Sequence, residues 1–502
     1  MSLRRNVFYG LICQGGLLLL TLVSTRLVFK QQGPEVLGAI GFAVLATSLL
    51  IFLVDAGLTP TVTREVAAHS ALEPKYVRDL FRTSAFLGWS GFIIAAAANW
   101  ILVPIAVEKW VNLEILDFEQ ANNAIRIVST ALLLALPRSI YGAYISGHGR
   151  IDRWNVANLW ASTVQQLGLV IVLVQGADLS QIAWWYAISA ILGLVPFMVF
   201  AAQIGGMNVL ILKPSRYVLS RNRRFSGNLF LNSLTGYFAN YADRWSVSHF
   251  LIIADFAYYN FVQGISSKLG LVLGAMASAG FADLSQRAET RSAMFNFRKI
   301  HELTMLVCII SSGAIFLFGI VLTQIMFGSD VAANLSTTIA ILTCGQMLTG
   351  VLTIPYWLTI ARKRPDISLK ANVYSILIVL PVTVLATWQF GINGAAFSLI
   401  ANAVWQWVYF FPRICRECMD ESAGDVYWVT LKLAAIGTLS YATSWIVVRG
   451  PGIATPVLDL AMAYSAGTVM FLLYFWRNSA PATRSALSRS LSDGFKLFTA
   501  KK

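Results

Sequence analysis

Charged residues are scarce in this chain. They make up 12% of its 502 residues, whereas a soluble domain carries about 25%. Histidine is rarer still, with four residues, and the sequence contains no HExxH zinc helix, Walker A phosphate loop or nucleophile elbow. These absences argue against a soluble enzyme with a metal, nucleotide or nucleophile site. We predict a protein that is not an enzyme and that needs no cofactor and no metal.

Cysteine is also sparse, and its positions demand no disulfide. Cys13, Cys308 and Cys344 lie inside apolar runs, where a thiol packs as a small apolar group. Cys415 and Cys418 have the spacing of a metal or redox pair, but no second pair lies nearby in the sequence. We therefore predict that these thiols serve packing rather than chemistry.

Apolar residues are in excess, at 57% of the chain. A soluble core of this size cannot hide so much apolar surface, so the solvent must be lipid, which one helix crosses with about 20 apolar residues. The first run, Val7 to Phe29, is too long for a signal peptide and lacks a small-residue cleavage site. The pattern predicts an all-α polytopic membrane protein with about 14 transmembrane helices. The predicted spans are 7–29, 36–58, 84–107, 123–146, 154–175, 181–204, 228–251, 256–281, 302–327, 332–361, 369–389, 392–412, 427–448 and 454–476.

Lys and Arg concentrate in alternate loops, which sets the predicted orientation. Cytoplasmic loops carry an excess of these residues, and most cations here fall on the side that holds both chain ends. The N- and C-termini are therefore predicted to be cytoplasmic. The net charge of +14 then reflects topology and attraction to anionic lipid. We predict the lipid bilayer, and no nucleic acid, as the partner of the basic loops. The opposite side holds only Arg26, Lys30, Lys109, Arg126 and Arg449.

Sequence features recur at a constant spacing. Arg244 follows Arg26, and Pro355 follows Pro137, each by 218 positions. Such self-similarity indicates a duplicated unit. A unit of six spans has an even number of crossings, so both copies enter the membrane from the same side as parallel-related bundles. The predicted domains are an N-terminal six-helix bundle at 1–204, a basic cytoplasmic linker at 205–227, a second six-helix bundle at 228–412, two additional helices at 413–476 and a basic cytoplasmic tail at 477–502.

Seven cations fall inside the predicted spans, where charge is costly, and four of them remain after Arg126, Lys370 and Lys432, which lie near the starts of their spans, are set aside. Each costs about 2.5–3.5 kcal/mol at the centre of a lipid-facing helix, so these side chains should face a water-filled cavity or pair with acids. Asp55 and Asp243 are the obvious acidic partners in the spans. An excess of cations in a cavity suits a phosphate or pyrophosphate substrate. The predicted substrate-binding cations are Arg138 and Lys268 near mid-span, together with Arg244 and Arg26.

Other roles for these charges stay open. Arg26 lies in the outer part of its span, where a long side chain can reach the interface. Asp55 lies near the cytoplasmic end of its span and can be a helix-end residue. Asp243 is adjacent to Arg244, but neighbours in a helix do not face each other, so each should have another partner. Both acids are also candidates for ion coupling.

Several short motifs, in their order along the chain, resemble the polysaccharide transport family of the multidrug/oligosaccharidyl-lipid/polysaccharide exporter superfamily. The resemblance covers most of the chain and includes the two related bundles. Arg26 lies where that family often has an arginine in its first span. The matching stretches are Arg26 followed by Gly33-Pro34-Glu35-Val36-Leu37-Gly38, then Asp55-Ala56-Gly57-Leu58 with Arg64 after it, Asn240-Tyr241-Ala242-Asp243-Arg244, and Gly391-Ile392-Asn393-Gly394-Ala395-Ala396.

This resemblance implies a bacterial inner-membrane flippase for an undecaprenyl-diphosphate-linked oligosaccharide. Its product would serve O-antigen, capsule or exopolysaccharide assembly, beside a polysaccharide polymerase and other assembly proteins. The implied mechanism is alternating access of the two halves, coupled to a cation gradient. A multidrug extruder of organic cations is the alternative, but it should carry an acidic, aromatic cavity. A membrane polymerase or ligase would need a large external loop, and the longest predicted one, 108–122, is short.

Overall fold

The computed structural model describes residues 3–270, 273, 292–362, 364–419, 423–449, 456–479, 481 and 483–485. The structure is 91% helical, and its described ranges contain no β-strand. Only an isolated bridge joins Asn112 to Ile252. The predicted all-α class is confirmed.

The helices are numbered in chain order. The first are α1 (Leu3–Asp55), α2 (Leu58–His69), α3 (Pro74–Lys109), α4 (Phe118–Leu133), α5 (Ala135–Gly147), α6 (Ile151–Val174), α7 (Leu179–Gly205), α8 (Arg216–Phe250) and α9 (Ile253–Ser266). The later ones are α10 (Ser292–Phe327), α11 (Ser329–Val351), α12 (Thr353–Ala361), α13 (Pro365–Trp405), α14 (Gly424–Arg449) and α15 (Pro456–Asn478), with turns of π- and α-helix from Gln406 to Met419 after α13.

Nine helical segments in the described part of the chain are long and apolar enough to cross a membrane. Two of them, Gly16–Asp55 and Asp366–Cys418, each overlap two predicted spans. The predicted seventh span lies in α8 and the thirteenth in α14. The predicted eighth span begins in α9 and continues outside the described residues. The polytopic architecture is confirmed, while the count of fourteen and the side of each terminus stay predictions.

The chain divides into two compact units, Met1–Asn260 and Phe261–Lys502. The division falls inside α9, within the predicted eighth span. The predicted domain boundaries were drawn from the sequence repeat rather than from compactness, and they stay a prediction.

Two prolines end helices at equivalent places. Proline cannot donate a backbone hydrogen bond and clashes with the carbonyl four residues before it. Four residues before Pro137 is Leu133, where α4 ends, and four before Pro355 is Val351, where α11 ends. The tenth predicted span, 332–361, is therefore interrupted before Pro355. The recurrence of this interruption in the fourth span, at the same spacing, supports the predicted duplication.

The chain reverses direction at Gly391, inside α13. Gly391 has φ 58° and ψ −137°, which lies outside the helical region. A Cβ on Gly394 would lie 1.8 Å from the carbonyl oxygen of Ala386, although these residues would be about 12 Å apart in a straight helix. The two halves of α13 thus form a hairpin. Asn393 accepts a 2.7 Å hydrogen bond from Thr338 and so attaches this hairpin to α11.

The segment after α7 packs on the helices before it. The Arg82 guanidinium donates hydrogen bonds of 2.6 and 2.9 Å to the carbonyl of Asn208. The backbone N–H of Ser215 donates to the hydroxyl of Thr83 at 3.0 Å. Helix α8 begins at the next residue, Arg216. These contacts fix the first turns of α8 beside α3.

The cysteine predictions have mixed outcomes. Cys308, Cys415 and Cys418 are free and buried, as predicted. Cys344 is exposed on α11, so the prediction that it packs in a core is wrong: its apolar surroundings in the sequence belong to a lipid-facing helix surface. The side chain of Cys13 lies outside the described part of the structure.

Candidate functional site

Arg138 lies in the first turn of α5, beside α7. It is half-buried. Its guanidinium carbon is 6.0 Å from the ring centre of Phe197 on α7, within the range of a cation–π contact. A Cβ on Gly193 would lie 3.9 Å from its Nη1. In the described residues no carboxylate pairs with Arg138.

Asp55 is linked to the residue next to Arg138. The Thr59 hydroxyl donates a 2.5 Å hydrogen bond to the Asp55 carboxylate. The same hydroxyl lies 3.0 Å from the hydroxyl of Ser139. Because Asp55 is the last residue of α1 and also accepts from the Thr59 backbone N–H at 3.3 Å, its geometry agrees with the alternative role at a helix end.

Asp243 and Arg244 each contact an aromatic side chain besides interacting with each other, so each has another partner, as the helix geometry predicts. Asp243 is 7% exposed and accepts a 2.6 Å hydrogen bond from the fully buried hydroxyl group of Tyr259. The guanidinium carbon of Arg244 is 4.9 Å from the ring centre of Tyr241, one turn earlier in α8. Tyr241 in turn stacks on Tyr237 at 4.6 Å. Packing of aromatic rings therefore positions Arg244.

Arg26 and Lys268 complete the predicted set. Arg26 is half-buried in α1. Lys268 is exposed and follows a turn that interrupts the helix after Ser266. Lys268 belongs to the second compact unit, and the other predicted cations belong to the first. The structure does not test the assignment of any of these residues to substrate, which stays a prediction.

The sequence did not predict a polar network that joins the start of α8 to α2 and α3. The Glu65 carboxylate, 4% exposed, accepts hydrogen bonds from Arg64 and from Tyr76, the latter at 2.9 Å. The Tyr76 hydroxyl accepts a 3.0 Å hydrogen bond from Asn222 of α8. Burial raises the pKa of Glu65, but hydrogen bonds from Arg64 and Tyr76 and the positive charges of Arg64 and His69 bring it below its ordinary value.

An adjacent ion pair also holds the start of α8 against the residue before α3. Arg221 of α8 donates a 3.1 Å hydrogen bond to Glu73 and lies 4.1 Å from the ring centre of Tyr76. Hydrogen bonds from Arg221 to Glu73 and to Tyr217 raise its pKa above the ordinary value. No local periodicity links residues about 150 positions apart, so the sequence could not have revealed these pairs.

Glu35, in the motif Gly33-Pro34-Glu35, also has a contact that the sequence did not reveal. Its carboxylate accepts backbone hydrogen bonds from Glu114 and Ile115 at 3.0 Å and from Leu116 at 2.6 Å. These donors precede α4. The motif thus supplies an acceptor for a loop whose backbone N–H groups lack helical partners.

Comparison with protein families decides the family of the chain. A family model described as polysaccharide biosynthesis protein matches residues 3–286, which is more than half of the sequence. The chain belongs to the polysaccharide biosynthesis protein family. The chain is a multi-pass protein of the inner membrane.

Individual relatives agree with the family. The chain is 21% identical to a putative O-antigen transporter of Shigella flexneri over 432 residues, which cover 83% of this chain and 99% of that protein. Its fold is similar to that of the lipid II flippase MurJ in an inward closed conformation, with a TM-score of 0.67 and 15% identity, over 94% of this chain and 99% of that one.

A multidrug transporter has a similar fold. The structure matches a multidrug resistance MATE family transporter of the MOP superfamily in an inward-facing conformation, with a TM-score of 0.65 and 15% identity. The match covers 78% of this polysaccharide biosynthesis protein and 93% of the transporter. At such identities the likeness to solved structures shows the fold and leaves the substrate to be argued from chemistry.

Proposed function

We propose that the protein is a flippase that moves an undecaprenyl-diphosphate-linked oligosaccharide across the bacterial inner membrane. The glycan would serve O-antigen, capsule or exopolysaccharide synthesis. The match to nearly the whole length of a putative O-antigen transporter carries this proposal. The mechanism is alternating access of the bundles at 1–204 and 228–412, and a polysaccharide polymerase and other assembly proteins act beside it.

The charges in the spans support an anionic headgroup. A diphosphate needs donors that are not already neutralised by acids. Arg138 has a ring beside it and, in the described residues, no paired carboxylate. Asp243 is occupied by the hydroxyl of Tyr259. Arg138, Arg244, Arg26 and Lys268 would contact the diphosphate, while Asp55 or Asp243 would serve ion coupling.

Export of organic cations is the second candidate function, favoured by the fold shared with a multidrug transporter. A cationic drug needs an accessible acid in the path, and the acids predicted to serve the path are Asp55 and Asp243. Both already accept hydroxyl hydrogen bonds, from Thr59 and Tyr259. That geometry favours the anionic substrate.

Complementation of a flippase-deficient strain tests the proposal. Arg138→Ala and Lys268→Ala should each reduce surface glycan at equal protein level, because each removes a donor for the diphosphate. Lys370→Ala is the matched control, since Lys370 is an exposed cation on α13 outside the proposed site. Wild-type glycan from both site variants would remove the proposed site. Failure of the wild-type chain to restore glycan, together with resistance to organic cations, would support the second function instead.

A further inference from the structure

An elongated cavity of about 730 Å³ lies within the first compact unit. It is bordered by the end of α1, by α2 and α3, and by the first turns of α8, and its walls include Val54, Leu87 and Phe230. From Leu80 to Ile94 the wall follows α3 for about 20 Å. The hydrocarbon of one leaflet is only about 15 Å thick, so an extended lipid chain fits this length.

Two arginines line the same cavity. They are Arg216 and Arg223, both exposed, in the first turns of α8. None of the described lining residues is acidic, and no described carboxylate pairs with either arginine. Arg221, between them, is instead paired with Glu73. The cavity therefore joins an apolar wall to unneutralised positive charge.

The two arginines are held at the rim by contacts of their neighbours. Ser215 donates to Thr83, and Asn222 donates to Tyr76, each at 3.0 Å. These hydrogen bonds fix both the start and the second turn of α8 on α3. The backbone N–H groups at the start of α8 add partial positive charge. A phosphate at this rim would meet a preorganised site.

We propose that this cavity binds an anionic phospholipid of the surrounding bilayer. Its phosphate lies between Arg216 and Arg223, and one chain follows α3. The cavity is open at its wall, where Ile94 is 67% exposed and Leu219 40% exposed, and Ile94 lies in the predicted third span, so a lipid chain could enter there. The apolar wall at membrane depth favours a phospholipid over free phosphate. This site is separate from the proposed diphosphate contacts and does not depend on the transported glycan.

Native mass spectrometry of the delipidated full-length protein tests the site. Phosphatidylglycerol should bind at one site, and phosphatidylcholine more weakly. Arg216→Gln with Arg223→Gln should weaken phosphatidylglycerol binding by about 30-fold, since each arginine near a lipid phosphate contributes about one factor of five. Ser90→Trp keeps the charge but fills the apolar wall, so it should also abolish binding.

Arg78→Gln is the control, because Arg78 is an exposed cation of α3 outside the cavity, and it should bind as the wild type does. Helical circular dichroism and gel filtration confirm that each variant is folded. Wild-type binding by both the double arginine variant and Ser90→Trp would overturn the proposal. Equal binding of phosphatidylcholine, displacement by inorganic phosphate alone, or a strong preference for a polyprenyl diphosphate would also overturn it.

Discussion

Asp243 and Tyr259 form a hydrogen bond of 2.6 Å that joins α8 to α9 while both side chains are buried. A carboxylate away from water needs such donors, because an unsatisfied buried charge is costly. The bond explains how an acid can stay beside Arg244 in sequence without facing it. It also makes Asp243 part of the packing of the first unit.

Tyr259→Phe should destabilise the protein by about 1–3 kcal/mol, because it leaves the buried Asp243 carboxylate short of a donor. Thermal unfolding of the purified protein measures the loss. Tyr374→Phe is the matched control, since Tyr374 is 45% exposed on α13. Equal melting temperatures for Tyr259→Phe and the wild type would show that the bond contributes nothing.

The Glu65 network should make stability depend on acid pH. The pKa of Glu65 is lowered from 4.5 in the folded protein. Its contribution is therefore complete above about pH 4.5 and is lost as the pH falls through the lower folded value. Glu65→Gln should flatten this part of the stability profile. Glu108→Gln, at an exposed carboxylate, should leave the profile unchanged. A wild-type profile for Glu65→Gln would contradict the assignment.

Gly394→Ala should cost at least about 1–3 kcal/mol, as overpacking does, because its Cβ would lie 1.8 Å from the carbonyl oxygen of Ala386. Gly236→Ala is the opposite case. Gly236 lies in α8 with nothing within 4 Å of an added Cβ, so alanine should stabilise the helix by up to about 1 kcal/mol. Melting temperatures that shift in the same direction for both variants would refute the predicted contrast.

Glu35→Gln should loosen the loop before α4. The carboxylate accepts from three consecutive backbone N–H groups, and an amide offers one oxygen and turns a donor towards the others. We expect a loss of about 1.5–3 kcal/mol and faster hydrogen exchange at Glu114, Ile115 and Leu116. Glu119→Gln, on the exposed first turn of α4, provides the comparison. Unchanged exchange in Glu35→Gln would argue against the contact.

Some features of the fold have a physical cause that is local in the sequence. Pro137 and Pro355 end helices because proline acts on the carbonyl four residues earlier, and Gly391 allows a reversal because glycine reaches positive φ. The apolar excess predicted the membrane class from composition alone, without any tertiary contact. These rules need only the chain near each residue.

Contacts between distant residues could not be predicted in this way. Glu35 meets backbone groups about 80 positions away, and Asn222 meets Tyr76 across nearly 150 positions. The apolar sequence around Lys268 predicted a position near the middle of a span, but the helix is interrupted just before this residue. Each outcome depends on tertiary packing, which overrides local preference.

The hairpin at Gly391 also bears on how the chain enters the bilayer. Its two helices meet with no loop between them, and the carbonyl of Ala386 touches the chain at Gly394. The hairpin therefore has no polar loop that could remain at the membrane surface between two separate insertion steps. We expect the two helices to insert into the bilayer as a pair, because each can shield the backbone of the other at the turn.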